Sequence, residues 1–168
     1  SWPGSNTYKK FIQFMDNEMV GEGIINEWQA LPYDWRLPLE SIVENSVNLE
    51  NGETYNLIEK IRELAESSDT GKVTLIAHSN GGLLGKVLID RLGDEADELI
   101  DRFIMVGSPQ LGTPKAITEL LHGSFPAVKP LTRELAHNMA SAYNFIPSEK
   151  YFDVVLSTSP VVEFDPEV

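Results

Sequence analysis

The chain has 168 residues, of which 42% are hydrophobic, and this length and composition suit a globular domain with a sizeable core. The formal net charge of −13 argues against binding to nucleic acid and against electrostatic attachment to anionic membranes. The absence of cysteine excludes disulfides, thiolate catalysis and zinc–sulfur sites, and we predict neither a cofactor nor a metal. No apolar stretch reaches the ~20 residues of a membrane span, and no signal peptide is visible, so the compartment stays open.

The first third of the chain predicts two helices separated by a strand and an irregular segment. Apolar residues recur at helical spacing from Tyr8 to Met19, and a strand is predicted within residues 24–31. Residues 37–52 are polar and are predicted to be irregular, and a second amphipathic helix is predicted from Leu57 to Ala65. Three residues could cap the first helix: Ser5, Asn6 and Thr7.

The most informative pattern is a strand that runs directly into a helix through one serine. Val73–Ala77 is a short apolar run that suits a central strand of a parallel sheet, covered on both faces. Helical spacing begins immediately after Ser79, so the serine must lie on a tight and strained turn. Such a turn needs small residues two positions before and after it, and Ala77 and Gly81 satisfy this requirement. The pattern is typical of a nucleophile elbow of the form A-x-S-x-G.

The pattern predicts Ser79 as the catalytic nucleophile and the Asn80 backbone N–H as the first oxyanion donor. The dipole of the following helix would add positive potential at the same place. His78 precedes the serine on the strand, so its side chain is predicted to face the opposite side and to pack or hydrogen-bond locally. The alternative is an ordinary strand–turn–helix with an incidental serine.

Two glycine-containing segments resemble nucleotide-binding motifs, but both lack residues that these motifs require. Residues 81–86 look like a phosphate-binding loop, but Asn80 and Val87 occupy positions where that motif requires glycine and Ser or Thr. Residues 21–23 lack the third glycine and the preceding strand of a dinucleotide fingerprint. We therefore expect no nucleotide at either segment.

The second half of the chain continues the alternation of strands and helices. The order β-α-β-α-β predicts an α/β fold with a parallel, doubly wound sheet flanked by helices. The predicted elements are a short helix or acidic connection at 93–101, a buried strand at 102–107, a loop at 108–114, a helix at 115–122, a loop at 123–130, a helix at 131–142 and an edge strand or extended arm at 151–156.

Several segments in this order resemble the lecithin:cholesterol acyltransferase-like, or lipase-like, family of α/β-hydrolases. The resemblance covers residues 30 to 152, and the segments around the serine motif are more specific to this family than the motif itself. They are PYDWR at 32–36, the helix at 53–66, KVTLIAHSNGGLLGK at 72–86, DRFIMVGSPQLGTPKA at 101–116 and YNFIPSEKYF at 143–152.

The resemblance implies a serine esterase, lipase or O-acyltransferase that acts on lipid-like esters through an acyl-serine. It carries the nucleophile to Ser79 and the first oxyanion donor to Asn80, and it makes the Trp2 backbone N–H a candidate second donor. It implies one partial α/β-hydrolase domain over residues 1–168, with part of a cap or lid at 113–152. Acyl chains would contact the cap at Leu120, Leu121 and Phe125. Asp34–Arg36 either shapes the pocket or forms a structural turn with an Asp–Arg contact and a packed indole.

A catalytic triad is incomplete in these residues. In this fold the acid and the histidine follow the serine in the chain, yet His122 and His137 lie in a presumed cap and in a helix, and no histidine follows Asp153 or Asp165. We therefore expect a central fragment of a larger hydrolase, which lacks its Asp and His and self-associates through exposed strand edges. Two alternatives remain: a non-catalytic lipid- or partner-binding module, and an unorthodox base at His122 or His137.

Overall fold

The computed structural model describes residues 7–49, 51–123 and 129–158. The chain divides between Pro32 and Tyr33 into two compact units. The described residues combine helices with two two-stranded sheets, one of which is a parallel pair, so the α/β class is confirmed. The doubly wound sheet stays a prediction, because the parallel sheet has two strands in these ranges. No helix in these ranges is both long enough and apolar enough to cross a bilayer.

The first unit contains the predicted N-terminal helix. It runs as α1 (Lys9–Phe14) and continues as a π-helix (Met15–Val20), and Thr7 does not cap it because the N-cap residue is Tyr8. Ser5 and Asn6 lie outside the described residues. The strand predicted within residues 24–31 is wrong. Trp28 contacts the helix instead, where its indole N–H donates to Asp16 Oδ1 at 2.8 Å, and residues 7–32 contain no strand.

The segment 37–52 is more regular than its polarity predicts. It contains α2 (Leu39–Glu44), and β1 (Val47–Asn48) pairs antiparallel with β2 (Thr54–Tyr55). The helix forms because its apolar residues share one buried face. The hairpin closes on Gly52, which has a positive φ of 86° in an Asn-Gly turn. The buried residues of α2 are Leu39, Ile42 and Val43.

The part of the second unit around Ser79 consists of three helices and two strands. Its elements are α3 (Leu57–Ser67), β3 (Val73–His78), α4 (Asn80–Leu92), α5 (Glu95–Leu99) and β4 (Ile100–Val106). The Asn56 side chain caps α3 by accepting from the backbone N–H groups of Ile58 and Glu59. β3 and β4 pair in parallel, with Leu75 opposite Phe103 and Ala77 opposite Met105. These elements confirm the predicted helix, strand, helix and strand around Ser79.

Only one face of this parallel pair is covered by described residues. Burial alternates along β3, and Leu75 and Ala77 are half-buried while Thr74, Ile76 and His78 are exposed. On the same outer face Ile104 and Val106 are 44% and 50% exposed, respectively. The prediction that the strand is covered on both faces is therefore wrong for the described residues, because α4 packs against one side and no described helix covers the other.

The uncovered face supports the expected self-association of the chain. Exposed aliphatic side chains and unpaired strand edges favour association with other chains. We expect the 168-residue chain to elute above its monomer mass, and Ile104→Asp, which places a charge on the outer face, to shift it toward monomer. Light scattering that gives a monomer mass for the unmodified chain would contradict this prediction.

Four helices complete the described chain. They are α6 (Pro114–His122), α7 (Lys129–His137), α8 (Ala140–Tyr143) and α9 (Glu149–Thr158). The helix predicted over 131–142 is divided, because Asn138 and Met139 separate α7 from α8. The edge strand or extended arm predicted over 151–156 is wrong, because α9 covers this segment and begins with a helical turn in which Tyr151 N–H donates to the Ser148 carbonyl. Good helix formers at 149 and 150 favour this outcome.

Candidate functional site

Ser79 has an unusual backbone conformation. It joins β3 to α4 with φ 53° and ψ −121°, and it is the only non-glycine residue with a positive φ in the described chain. A side chain in this region is strained, by about 1–3 kcal/mol, and persists only where the surrounding structure enforces it. The sequence prediction of a strained turn at Ser79 is therefore confirmed.

Hydrogen bonds on both sides hold the Ser79 turn. The Ser79 N–H donates to the Val106 carbonyl at 3.0 Å, which extends the β3–β4 pairing by one residue, and the Ser79 carbonyl accepts from Gly82 N–H at 3.1 Å. The Asn80 N–H has no backbone acceptor among the described residues, as expected for the first residue of a helix. The turn thus places Ser79 directly before the positive end of α4, whose first N–H has no backbone acceptor among the described residues.

Close packing fixes the first two turns of α4 against the sheet. A Cβ added to Gly82 would lie 2.5 Å from Ser108 Cβ, and one added to Gly85 would lie 2.7 Å from Phe103 Cε2 and overlap Cζ. A Cβ on Gly81 would meet only ordinary contacts, 3.5 Å from Ala77 Cβ and 3.7 Å from the Tyr33 hydroxyl. The predicted need for a small residue at Gly81 is therefore wrong, because a methyl would fit there, and close packing requires glycine at Gly82 and Gly85 instead.

Gly85→Ala is expected to destabilise the fold, whereas Gly81→Ala is not. The added methyl at 85 would overpack against the Phe103 ring, which costs about 1–3 kcal/mol against a helix-propensity gain of up to ~1 kcal/mol. At 81 the same gain meets no clash, so stability should stay equal or rise. Urea denaturation of the two variants measures the difference, and equal midpoints would contradict it.

The burial of the Asn80 side chain costs free energy, because no hydrogen bond compensates for it among the described residues. The residue is 8% exposed, and neither its Nδ2 nor its Oδ1 has a hydrogen-bond partner among the described residues. Leaving such a buried group without a partner costs about 1–3 kcal/mol. This feature was missed by sequence reasoning, which considered only the backbone N–H of Asn80.

None of the three histidines is hydrogen-bonded to the Ser79 hydroxyl in the described residues. His78 is exposed on the outer face of the sheet, as its position on the strand predicts. A ring nitrogen of His137 lies 2.7 Å from the Leu120 carbonyl, and the His137 carbonyl accepts from the Tyr143 hydroxyl at 3.0 Å. His122 is exposed at the end of α6. The described chain therefore contains no assembled Ser–His pair.

The loop after β4 is tied to residues 145–148, a connection that sequence reasoning missed. Thr113 N–H donates to the Phe145 carbonyl at 2.8 Å, and Ser148 N–H donates to the Leu111 carbonyl at 2.9 Å. Gly112 lies between these two bonds with φ 86°, where a Cβ would overlap the Ile146 carbonyl oxygen. Gly112, in the sequence LGTP at 111–114, was the residue from which this connection could have been predicted. This connection fixes the loop at the end of β4, the strand that pairs with β3.

Asp34–Arg36 forms the predicted structural turn. The Arg36 guanidinium donates to both Asp34 carboxylate oxygens, at 2.8 and 2.7 Å, and these hydrogen bonds lower the pKa of Asp34. The indole of Trp35 is 53% exposed, so the predicted packed indole is wrong. Asp34 lines a cavity of about 320 Å³ with Leu37, Ser41, Ile42 and residues 45–48, and Ser79 is not among the lining residues.

Other predicted site residues have mixed outcomes. Leu120 is half-buried and Leu121 is 56% exposed on α6, while Trp2 and Phe125 lie outside the described residues. The described residues contain no group of three or more acidic, histidine or cysteine side chains that could hold a metal ion. Trp2 as a second oxyanion donor, and Phe125 as a cap contact, stay predictions.

The family model of lecithin:cholesterol acyltransferase matches residues 4–161. The chain belongs to this family. Searches of curated proteins and of solved structures give no match. Membership confirms the family that the sequence resembles, and it associates the chain with acyltransferases and hydrolases of lipid esters. The match includes β3, Ser79 and α4, and it also includes the loop after β4.

Proposed function

We propose that Ser79 is the nucleophile of a serine esterase or O-acyltransferase that acts on lipid-like carboxylic esters. The observation that carries this proposal is the strained conformation of Ser79 between β3 and α4. That strain would present the hydroxyl at the carboxyl end of a parallel strand, the edge at which open α/β sheets bind ligands. Family membership supports the class of substrate.

The reaction would proceed through a covalent acyl-serine. Ser79 Oγ attacks the ester carbonyl while a general base takes its proton, and the new oxyanion accepts a hydrogen bond from Asn80 N–H. The C–O bond of the ester then breaks, and the proton passes to the departing alcohol. Water or a second alcohol attacks the acyl-serine in the same manner, which releases the acid or the new ester and regenerates Ser79.

The general base would come from outside these 168 residues. His78 is on the outer face of the sheet, and one ring nitrogen of His137 lies against the Leu120 carbonyl. His122 ends a helix within the segment that we assign to the cap, residues 113–152. The chain would then be part of a larger α/β-hydrolase domain, whose further strands and helices complete the doubly wound sheet and cover its exposed face.

Covalent capture by an activated alkylphosphonate ester tests the nucleophile in the protein that supplies the base. We expect one phosphonyl group per protein, attached at Ser79 as located by peptide mass spectrometry. Ser79→Ala is the matched control and should carry no label. Labelling at another serine, or none at all, would contradict the proposal.

The competing function is a lipid-binding module without catalysis. The observation that favours it is the absence of a histidine hydrogen-bonded to Ser79 in the described residues. Such a module would bind a fluorescent acyl lipid with equal affinity before and after Ser79→Ala, and it would resist the phosphonate. Phosphonate capture at Ser79 decides against this alternative.

A further inference from the structure

We propose that the Asn80 carboxamide is a catalytic group, which donates a second hydrogen bond to the oxyanion through Nδ2. This inference rests on the proposed function of Ser79 and adds a residue role to it. Asn80 would then contribute two donors, its backbone N–H and its side chain, to one oxygen.

The first support is the burial of the carboxamide. Asn80 is 8% exposed, and both of its polar side-chain atoms are closed off from solvent without a hydrogen-bond partner in the described chain. Buried polar side chains are nearly always paired, so an exception calls for a reason, and a group kept ready for reaction is one. An unpaired donor also breaks no existing hydrogen bond when it turns toward a new acceptor.

The second support is the position of Asn80. It is the first residue of α4 and follows the strained Ser79 directly, so its backbone N–H lies at the positive end of a 13-residue helix. An oxygen that accepts from this N–H lies close to the same residue's Cβ, within the span of a short Asn side chain. Rotation about the side-chain torsions can therefore bring Nδ2 to an acceptor that the backbone already holds.

The third support is the electrostatic environment. Hydrogen-bond donors stabilise a developing oxyanion most strongly where water is excluded, and side-chain amides are among the groups that serve this purpose. The two Asn80 polar atoms lie in such an environment before any ligand binds. A leucine of similar size would fill the same space without a donor.

Asn80→Leu separates a catalytic role from a structural one. We expect its melting temperature to stay equal or rise by about 2–4 °C, since the substitution removes an unpaired polar group. We expect phosphonate capture of Ser79 and kcat for a p-nitrophenyl ester each to fall on the order of 10²-fold with KM nearly unchanged, as for loss of one oxyanion donor. Asn80→Gln, which retains a primary amide, should recover part of the rate.

Ser141→Ala is the matched control. Ser141 is 0% exposed, and its hydroxyl also lacks a partner in the described residues, but it lies in α8. Its loss should leave the rate unchanged. An Asn80→Leu protein that reacts at the wild-type rate, or one that melts at a lower temperature, overturns the inference. In the first case Ser79 is still captured, so the proposed function stands. If wild-type Ser79 is never captured, the proposed function and this inference fail together.

Discussion

Replacing Ser79 with alanine is expected to lower ester hydrolysis on the order of 10⁶-fold in the protein that supplies the general base. Alanine removes the hydroxyl that attacks the ester, while the N–H of Asn80 and the packing of α4 remain. Turnover of a short-chain p-nitrophenyl ester measures the loss. A variant that retains more than a small fraction of the activity would show that another residue is the nucleophile.

Ser79→Gly is the informative companion variant. It also removes the hydroxyl, but glycine accepts φ 53° without strain, so it should be more stable than the alanine variant by about 1–2 kcal/mol. Denaturation midpoints of the two variants test whether the backbone at this position is strained in solution. Equal midpoints would show that the turn relaxes.

The same ester assay on the 168-residue chain alone locates the base. We expect no turnover above that of Ser79→Ala, since no described histidine is hydrogen-bonded to Ser79. Turnover that depends on Ser79 would instead show that His122, His137 or a residue of a second copy serves as the base.

Gly112→Ala is expected to have the largest effect on stability, about 2–5 kcal/mol. A positive φ costs an alanine about 1–2 kcal/mol, and overpacking adds about 1–3 kcal/mol. The overpacking is severe because the added methyl would overlap the Ile146 carbonyl oxygen and lie 2.6 Å from Pro147 Cα, and these backbone atoms have no rotamer to change. Unfolding in urea measures the loss.

Gly52→Ala is the control for the conformational part of this effect. Gly52 has the same φ of 86°, but nothing lies within 4 Å of the position its Cβ would take. We expect a loss of about 1–2 kcal/mol from the strained conformation alone. If the two variants lose equal stability, the contact between the loop after β4 and residues 145–148 does not form in solution.

The strand, turn and helix around Ser79 could be predicted from the sequence because adjacent residues determine them. A short apolar run, an immediate change to helical spacing and small residues at 77 and 81 predict a strand, a turn and a helix without any distant contact. Errors arose where a partner decides the outcome. The segment 24–31 has strand-like residues, but Trp28 bonds to Asp16 on the preceding helix, and residues 7–32 contain no strand. The error at 151–156 has a local cause instead, because a helical turn begins at Ser148, whose carbonyl accepts from Tyr151 N–H.

By itself the sequence determined the family, the α/β class and Ser79 as the candidate nucleophile, because these depend on residue types at fixed spacing. Only the tertiary structure revealed that the Asn80 carboxamide is buried without a partner, that Gly112 is enclosed by Ile146 and Pro147, and that one face of the sheet is exposed. Burial and contact between residues far apart in the chain depend on how the elements pack, and residue spacing does not encode that packing.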